Sequence, residues 1–465
     1  MSVKGATSSC IDGSQASSRR PNIVVVVLDD ARFDDFGFSG HPFVKTPNFD
    51  RVAIEGIQFS NAFAPVPLCS PNRACILTGL YAHSHGITDN TDRSERSHQL
   101  ETFPRLLHRA GYETAFIGKW HMGLDDTRRP GFDEWVCMRG QGDYFDPEVN
   151  DNGQRRRLPG YASDIFSERT AEFICRKRDR PFLAYLSHKA VHPNLFQDAD
   201  GSINSVPEDG GFTPPDRVAS LYSGLRVPRR PNAASFAKDK PALQRSIKDV
   251  PPLGPGTGTP DHVIRNRLRI LTAADEAFGA VLGALEESGQ AENTCVVLTS
   301  DHGYFYGEHG LNEERRLAYE ESIRVPLAIR WPKRIAAGGE SEALVASVDL
   351  APTILGLAGI SGPVETHGRS LLPLLGGPPP AGWRRSVLIE YFSDRVWPRM
   401  VAMGYRAVRT ERWKYIRYTD LEGMDELYDL WSDPYEMCNL WNHRGYAATQ
   451  TLLGGELDRL LLESS

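Results

Sequence analysis

Within Cys69-Ser70-Pro71-Asn72-Arg73 a thiol, a proline and a guanidinium fall inside little more than one helical turn. Proline suits the first turn of a helix, so Cys69 would stand at a helix N-terminus, where partial positive charge favours an anion. Arg73, four residues on, would face back to the same spot. Taken alone, Cys69 reads more readily as a small buried hydrophobe than as a nucleophile. Asp29-Asp30 and Asp301-His302-Gly303 form a second constellation. Three carboxylates brought together repel one another unless a cation neutralises them, and oxygen ligands point to Ca²⁺ or Mg²⁺. An isolated Asp-Asp would instead read as a turn or helix cap.

These residues follow apolar runs of strand character. Ile23–Leu28 runs into Asp29, and Cys295–Leu298 leads to Asp301. Thr114–Ile117 precedes Gly118-Lys119-Trp120-His121, and Phe182–Leu186 precedes Ser187-His188-Lys189-Ala190-Val191-His192. Helical patterns at 46–55, 72–80, 102–110 and about 261–288 alternate with them. That alternation predicts an α/β fold with a mostly parallel sheet covered on both faces. Parallel strands would carry all four polar ends to one edge, where ligands of such sheets bind.

Residues 1–20 read as a disordered leader, and about 197–260 as an irregular insertion rich in Pro, Gly, Asp and Ser. Residues 21–380 would form the catalytic domain, closed by the linker Gly376-Gly377-Pro378-Pro379-Pro380. A smaller α+β subdomain over 381–465 would hold antiparallel strands at Tyr405–Thr410, Trp413–Arg417 and Glu426–Leu430, with a helix at Thr449–Glu463. A formal charge of −7 disfavours nucleic acid as a partner. Seven scattered cysteines make no disulfide framework. With neither a signal peptide nor a membrane-length apolar run visible, the chain as written reads as cytoplasmic, unless an export signal has been removed or replaced. Oligomeric state is not legible.

Cys69-Ser70-Pro71-Asn72-Arg73, with Ala74-x-x-Leu77-Thr78-Gly79, resembles the Cys-x-Pro-x-Arg signature of type I sulfatases. Gly111-Tyr112-x-Thr114 with Gly118-Lys119-Trp120-His121 resembles their second motif, and Glu426–Leu430 with Asp433-Pro434 their C-terminal tail. The resemblance implies an alkaline-phosphatase-like αβα sandwich. It also implies that a separate maturation enzyme oxidises Cys69 to formylglycine (3-oxoalanine), whose hydrated diol attacks sulfur and then expels sulfate. Asp29, Asp30, Asp301 and His302, with modified Cys69, would hold Ca²⁺ or another divalent ion. His302 stands where many relatives carry Asn, which loosens the calcium assignment. Arg73 and Lys119 would hold the diol and sulfate oxygens, His121 would act as base, and His192 as acid. Lys119, His192 and Arg315 would touch substrate. Arg315 replaces a usual Lys: it keeps the charge but cannot usefully donate a proton, which moves the acid role onto His192. A surface ion-pairing Arg315 is the competing reading.

Ala184–His192 and Gly140–Tyr144 look similar to carbohydrate sulfatases, especially the N-acetylglucosamine-6-sulfatase-like branch. The expected substrate is thus a small-molecule or oligosaccharide sulfate ester. Two alternatives stay open: a phosphonate or phosphate ester hydrolase of the same superfamily, and a non-catalytic binder of sulfated glycans with unmodified Cys69.

Overall fold

A computed structural model describes residues 20–205, 211–233, 239–360 and 365–465. Apart from Arg20, the expected leader lies outside the described residues, as do parts of the expected insertion.

A ten-stranded sheet runs through the larger domain. Its centre comprises β1 (Asn22–Leu28), β2 (Glu113–Lys119), β3 (Phe182–Ser187) and β4 (Thr294–Ser300), side by side in the order β4-β1-β3-β2 and all parallel. Glu134–Met138 continues the parallel set beyond β2, and antiparallel strands lie farther out on both sides. The sheet is therefore mixed but mostly parallel at its heart. Every residue of β1 is buried, because both faces are covered. Val24, Val26 and Leu28 enter one core, shared with the long helix α2 (Asp261–Glu287) and with helix Ala162–Cys175. Ile23, Val25 and Val27 enter the opposite core with α1 (Cys69–Thr78) and with helices Phe103–Arg109 and Leu350–Leu357. Two apolar layers around one sheet make the αβα sandwich. Each fully buried Val or Leu in it contributes roughly 1.5–3 kcal/mol.

The smaller unit is an antiparallel meander, β5 (Ser386–Tyr391), β6 (Tyr405–Thr410), β7 (Trp413–Tyr418) and β8 (Glu426–Asp429), followed by helix α3 (Ala447–Glu463). The expected three strands are present. β5 was not anticipated: it follows a Pro-rich stretch, and its short apolar run offered no period to separate strand from loop. The main chain of Glu390 in β5 donates to the Pro65 carbonyl at 2.8 Å, so the meander is stitched to the larger domain. Leu68 and Cys75 of the larger domain share an apolar cluster with Tyr391, Tyr405 and Leu427.

Helix α1 begins three residues before the expected Asn72. Leu68 is extended (φ −150°, ψ 137°), and Gly79 ends the helix in a left-handed conformation (φ 74°). No neighbouring side chain caps the start. Asn90, twenty residues away, accepts the Ser70 amide at 3.0 Å, a partner that no local pattern could announce. Along 197–260 the described residues form a short β-pair, 3₁₀ turns and the single-turn helix Pro241–Gln244.

Candidate active site

The parallel register brings four strand ends level. Leu28 of β1 lies opposite Ser300 of β4, Val27 opposite Ser187 of β3, and Gly118 of β2 opposite Ser187. Lys119, the last residue of β2, and the residues just past these ends, Asp29, Asp30, Asp301, His302 and His121, therefore gather at one edge. Gly118 has φ 121°, and a Cβ there would come within 1.9 Å of the Ser187 carbonyl. Only glycine allows β2 to approach β3 closely enough to deliver Lys119.

Helix α1 points its first residue at this edge. Cys69 is fully buried, with Sγ 3.2 Å from His302 Nε2. Burial pushes its thiol well above the ordinary range and Asp29 adds to the shift, with Lys119 opposing. At neutral pH the unmodified side chain is a protonated thiol and a poor nucleophile.

Asp29, Asp30, Cys69 and His302 each offer a ligand atom, and these atoms lie within 4.8 Å of one another. Asp29 Oδ1 and both carboxylate oxygens of Asp30 are buried and accept no hydrogen bond. Buried carboxylate oxygens are costly without a hydrogen bond, and with only the Arg315 guanidinium beside Asp30 Oδ2 these atoms fit a cation. Asp301, expected among the ligands, stands outside that group of four. Its Oδ2 takes Arg73 Nε at 3.1 Å and Nη2 at 3.0 Å, and its Oδ1 takes the main-chain amides of Asp30 (3.0 Å) and His302 (2.9 Å). A strand end in Asp-His shows which residues arrive, not which lone pairs are already engaged. Burial, and next Asp29, raise the Asp301 carboxyl to about 6.

Around the carboxylates stand three cationic side chains. Lys119 Nζ pairs with Asp29 Oδ2. Arg73 reaches from α1 to Asp301, to Ser187 Oγ (2.6 Å) and to the Lys119 carbonyl (3.0 Å). Burial alone would raise the Asp29 carboxyl, but Lys119 leads the charges that hold it well below the usual range. Arg315 places Nη1 3.1 Å from Asp30 Oδ2 and Nη2 2.9 Å from His192 Nε2. It is buried in the site, so the surface reading of Arg315 is excluded. The smaller unit holds it there. Arg316 pairs with Asp394, Tyr405 Oη donates to the Arg316 carbonyl (2.8 Å), and Glu320 meets Arg409 (3.1 Å) and Lys414 (2.8 Å).

The two expected proton carriers are buried and neutral. His121, at φ 55°, sets Nε2 2.8 Å from Gln197 Oε1 and leaves Nδ1 without a partner. His192 donates from Nδ1 to the Pro193 carbonyl at 2.8 Å. Burial, and then Lys119, lower both imidazoles well below their usual value. Lys189 lies nearby, its Nζ donating to the Gln141 and Pro193 carbonyls at 3.0 Å each. Trp120 packs against Phe116, with ring centroids 5.1 Å apart, and Cys75 lies in the core. His83 pairs instead with Glu390 at 2.9 Å, against the smaller unit.

Ser187, Gln197, Asn90 and Asn72 are the site residues not singled out from sequence. Asn72 Nδ2 donates to the Asp301 carbonyl, joining α1 to the end of β4. Ser187 ended a strand already under suspicion and could have been found. Gln197 opens an irregular segment that gave no signal.

The arrangement can bind an anion. Three carboxylates face three cationic side chains, and an added divalent ion would tip the balance positive. A family model described as Sulfatase matches residues 21–360, and a second, described as N-sulphoglucosamine sulphohydrolase, C-terminal, matches 307–463. The chain is 34% identical to an N-acetylglucosamine-6-O-sulfatase of Bacteroides thetaiotaomicron, over 98% of this chain and 88% of the relative. It superposes with a TM-score of 0.82 and 31% identity on a protein solved in complex with its substrate D-glucosamine-2-N,6-O-disulfate, covering 96% of this chain and 98% of the other. A phosphonate monoester hydrolase of Agrobacterium radiobacter shares the fold, with a TM-score of 0.74, 22% identity and 96% of each chain covered.

Proposed function

The chain belongs to the sulfatase family, and on that premise we propose that it hydrolyses sulfate monoesters of a sulfated carbohydrate, 6-O-sulfated glucosamine units above all. One observation carries the reading: Cys69 at the start of α1 meets orphaned carboxylate oxygens and three cationic side chains in one buried cradle. The relatives named for N-acetylglucosamine-6-O-sulfate and glucosamine disulfate supply the sugar.

Asp29, Asp30 and His302, with residue 69, would hold the cation, and Asp301 stands beside them. Oxygen-rich ligation favours Ca²⁺, with Mg²⁺ the competitor. A bound divalent ion supplies Lewis-acid polarisation and eases loss of a hydroxyl proton from residue 69 once a maturation enzyme has oxidised Cys69 to formylglycine. The protonated state of the buried thiol supports that need for conversion.

Arg73, Lys119 and Arg315 grip the sulfate oxygens. Fixed donors aimed at developing negative charge commonly contribute ~2.7–4 kcal/mol each. His121 has a free Nδ1 to accept a proton, with Gln197 holding the ring. His192 Nε2 serves the leaving oxygen once a sulfate draws the Arg315 guanidinium away and the ring takes up a proton from solvent at Nε2, which it then passes to the leaving oxygen.

The test is turnover by the converted protein on glucosamine-6-sulfate, N-acetylglucosamine-6-sulfate, 4-nitrophenyl sulfate and the matching 4-nitrophenyl phosphonate. Sulfate release from the 6-sulfated sugars is the expected result. Faster phosphonate than sulfate cleavage, with the sugars untouched, would replace the reading.

A further inference from the structure

Helix α2 carries a buried guanidinium with no carboxylate within ion-pairing distance among the described residues. Arg267 lies in a box of aromatic rings, 3.8 Å from the centroid of Tyr304 and 5.1 Å from that of Phe212. Its Nη2 donates to the Asp30 carbonyl at 2.6 Å and its Nη1 to the Val191 carbonyl at 3.2 Å. Burying a charge without a counter-ion is costly, and an apolar side chain would fill the same volume more cheaply. The two carbonyls are what set this position apart. One belongs to a residue of the proposed cation site, the other to the residue immediately before His192.

We infer that Arg267 is a positioning residue for sulfate-ester hydrolysis: through two main-chain carbonyls it fixes Asp30 and His192 relative to one another. Asp30 has φ 60°, a left-handed conformation that side chains other than glycine seldom adopt. That backbone turns its carbonyl towards α2, where the buried oxygen needs a donor. The planar fork of arginine meets both oxygens with a fixed separation, which lysine, a single point donor, cannot do. The inference rests on the proposed reading of Asp29, Asp30, Cys69 and His302 as a cation site.

The experiment compares chelator-stripped wild type with Arg267→Met, Arg267→Lys and Val281→Ala, the last a buried control on the same helix. Ca²⁺ affinity is measured by titration calorimetry, melting temperature by circular dichroism, and kcat and KM on the converted enzymes. Arg267→Met should weaken Ca²⁺ about 10–100-fold, the usual effect of removing a group that orients a metal ligand, and should lower kcat more than it raises KM. Arg267→Lys, keeping one contact, should fall between Arg267→Met and wild type. Val281→Ala should lose melting temperature while binding Ca²⁺ as the wild type does. A folded Arg267→Met with wild-type affinity and kcat overturns the inference alone. If Arg267→Met fails to fold, unchanged affinity in Arg267→Lys overturns it and a measurable loss supports it. A wild type that binds no divalent ion sinks the cation-site reading and this inference together.

Discussion

Arg315 Nη2 lies 2.9 Å from His192 Nε2, and the imidazole's other nitrogen donates to the Pro193 carbonyl. The guanidinium thus holds Nε2 as an acceptor, while burial and next Lys119 keep the ring neutral. An acid at His192 matters most when the leaving group is poor. His192→Ala should therefore cost about 10²–10⁴-fold in kcat on a sugar sulfate, in the range of general-acid contributions, and far less on 4-nitrophenyl sulfate. Equal losses on the two substrates would remove the acid role. Arg315→Ala should slow both, because it would remove the proposed sulfate contact from each.

Cys69→Ala should abolish turnover without unfolding the protein. Circular dichroism and melting curves should stay close to wild type, since a small buried side chain is replaced by another. Mass spectrometry of the Cys69 peptide from protein made with the maturation enzyme should show the aldehyde. Substantial activity in the alanine variant would end the mechanism.

Chelation of divalent ions should inactivate the enzyme and lower its melting temperature. Without a cation, Asp29 and Asp30 keep buried oxygens that accept no hydrogen bond. Adding Ca²⁺ should restore both properties, and a bound ligand at 100 times its Kd stabilises by about 2.7 kcal/mol. Indifference to chelators in both measurements would count against the site.

Asp275, on α2, caps helix Pro47–Ile54 from a distance, accepting the Phe49 amide at 2.7 Å and the Asn48 amide at 3.3 Å. Burial raises its carboxyl to about 7, against these hydrogen bonds. A carboxyl with a raised pKa in the fold contributes most below the unfolded-state value near 4 and loses that contribution as pH rises towards 7. Asp275→Asn removes the titration while its oxygen can still accept an amide. The variant should gain on wild type in melting temperature between pH 4.5 and 8, the underlying stability difference being on the order of a few kcal/mol at most. A gap between the two that does not move with pH would refute this.

Much of the fold was legible because its signals are local. The unbroken β-branched run Ile23–Leu28 announced a strand covered on both sides, and the long amphipathic stretch after Pro260 announced α2 within one residue of its observed end. Residues 197–260 gave only irregularity, because Gln197 draws its position from a hydrogen bond to His121 and not from any repeat in its neighbourhood. β5 hid for a related reason: its burial comes from the larger domain and from α3, not from a pattern of its own.

Sequence by itself determined which residues end the strands, and Pro71 put Cys69 at a helix N-terminus although the helical pattern itself began only at Asn72, since chain direction and side-chain period follow from neighbours along the chain. It could not say how the charges divide. Tertiary structure decided that Asp301 is taken up by Arg73 while the Asp30 oxygens accept no hydrogen bond, that Arg315 is buried against His192, and that Arg267 ties two loops from behind. Each of those outcomes is a competition for hydrogen bonds and space among groups dozens to hundreds of residues apart, and only packing settles it.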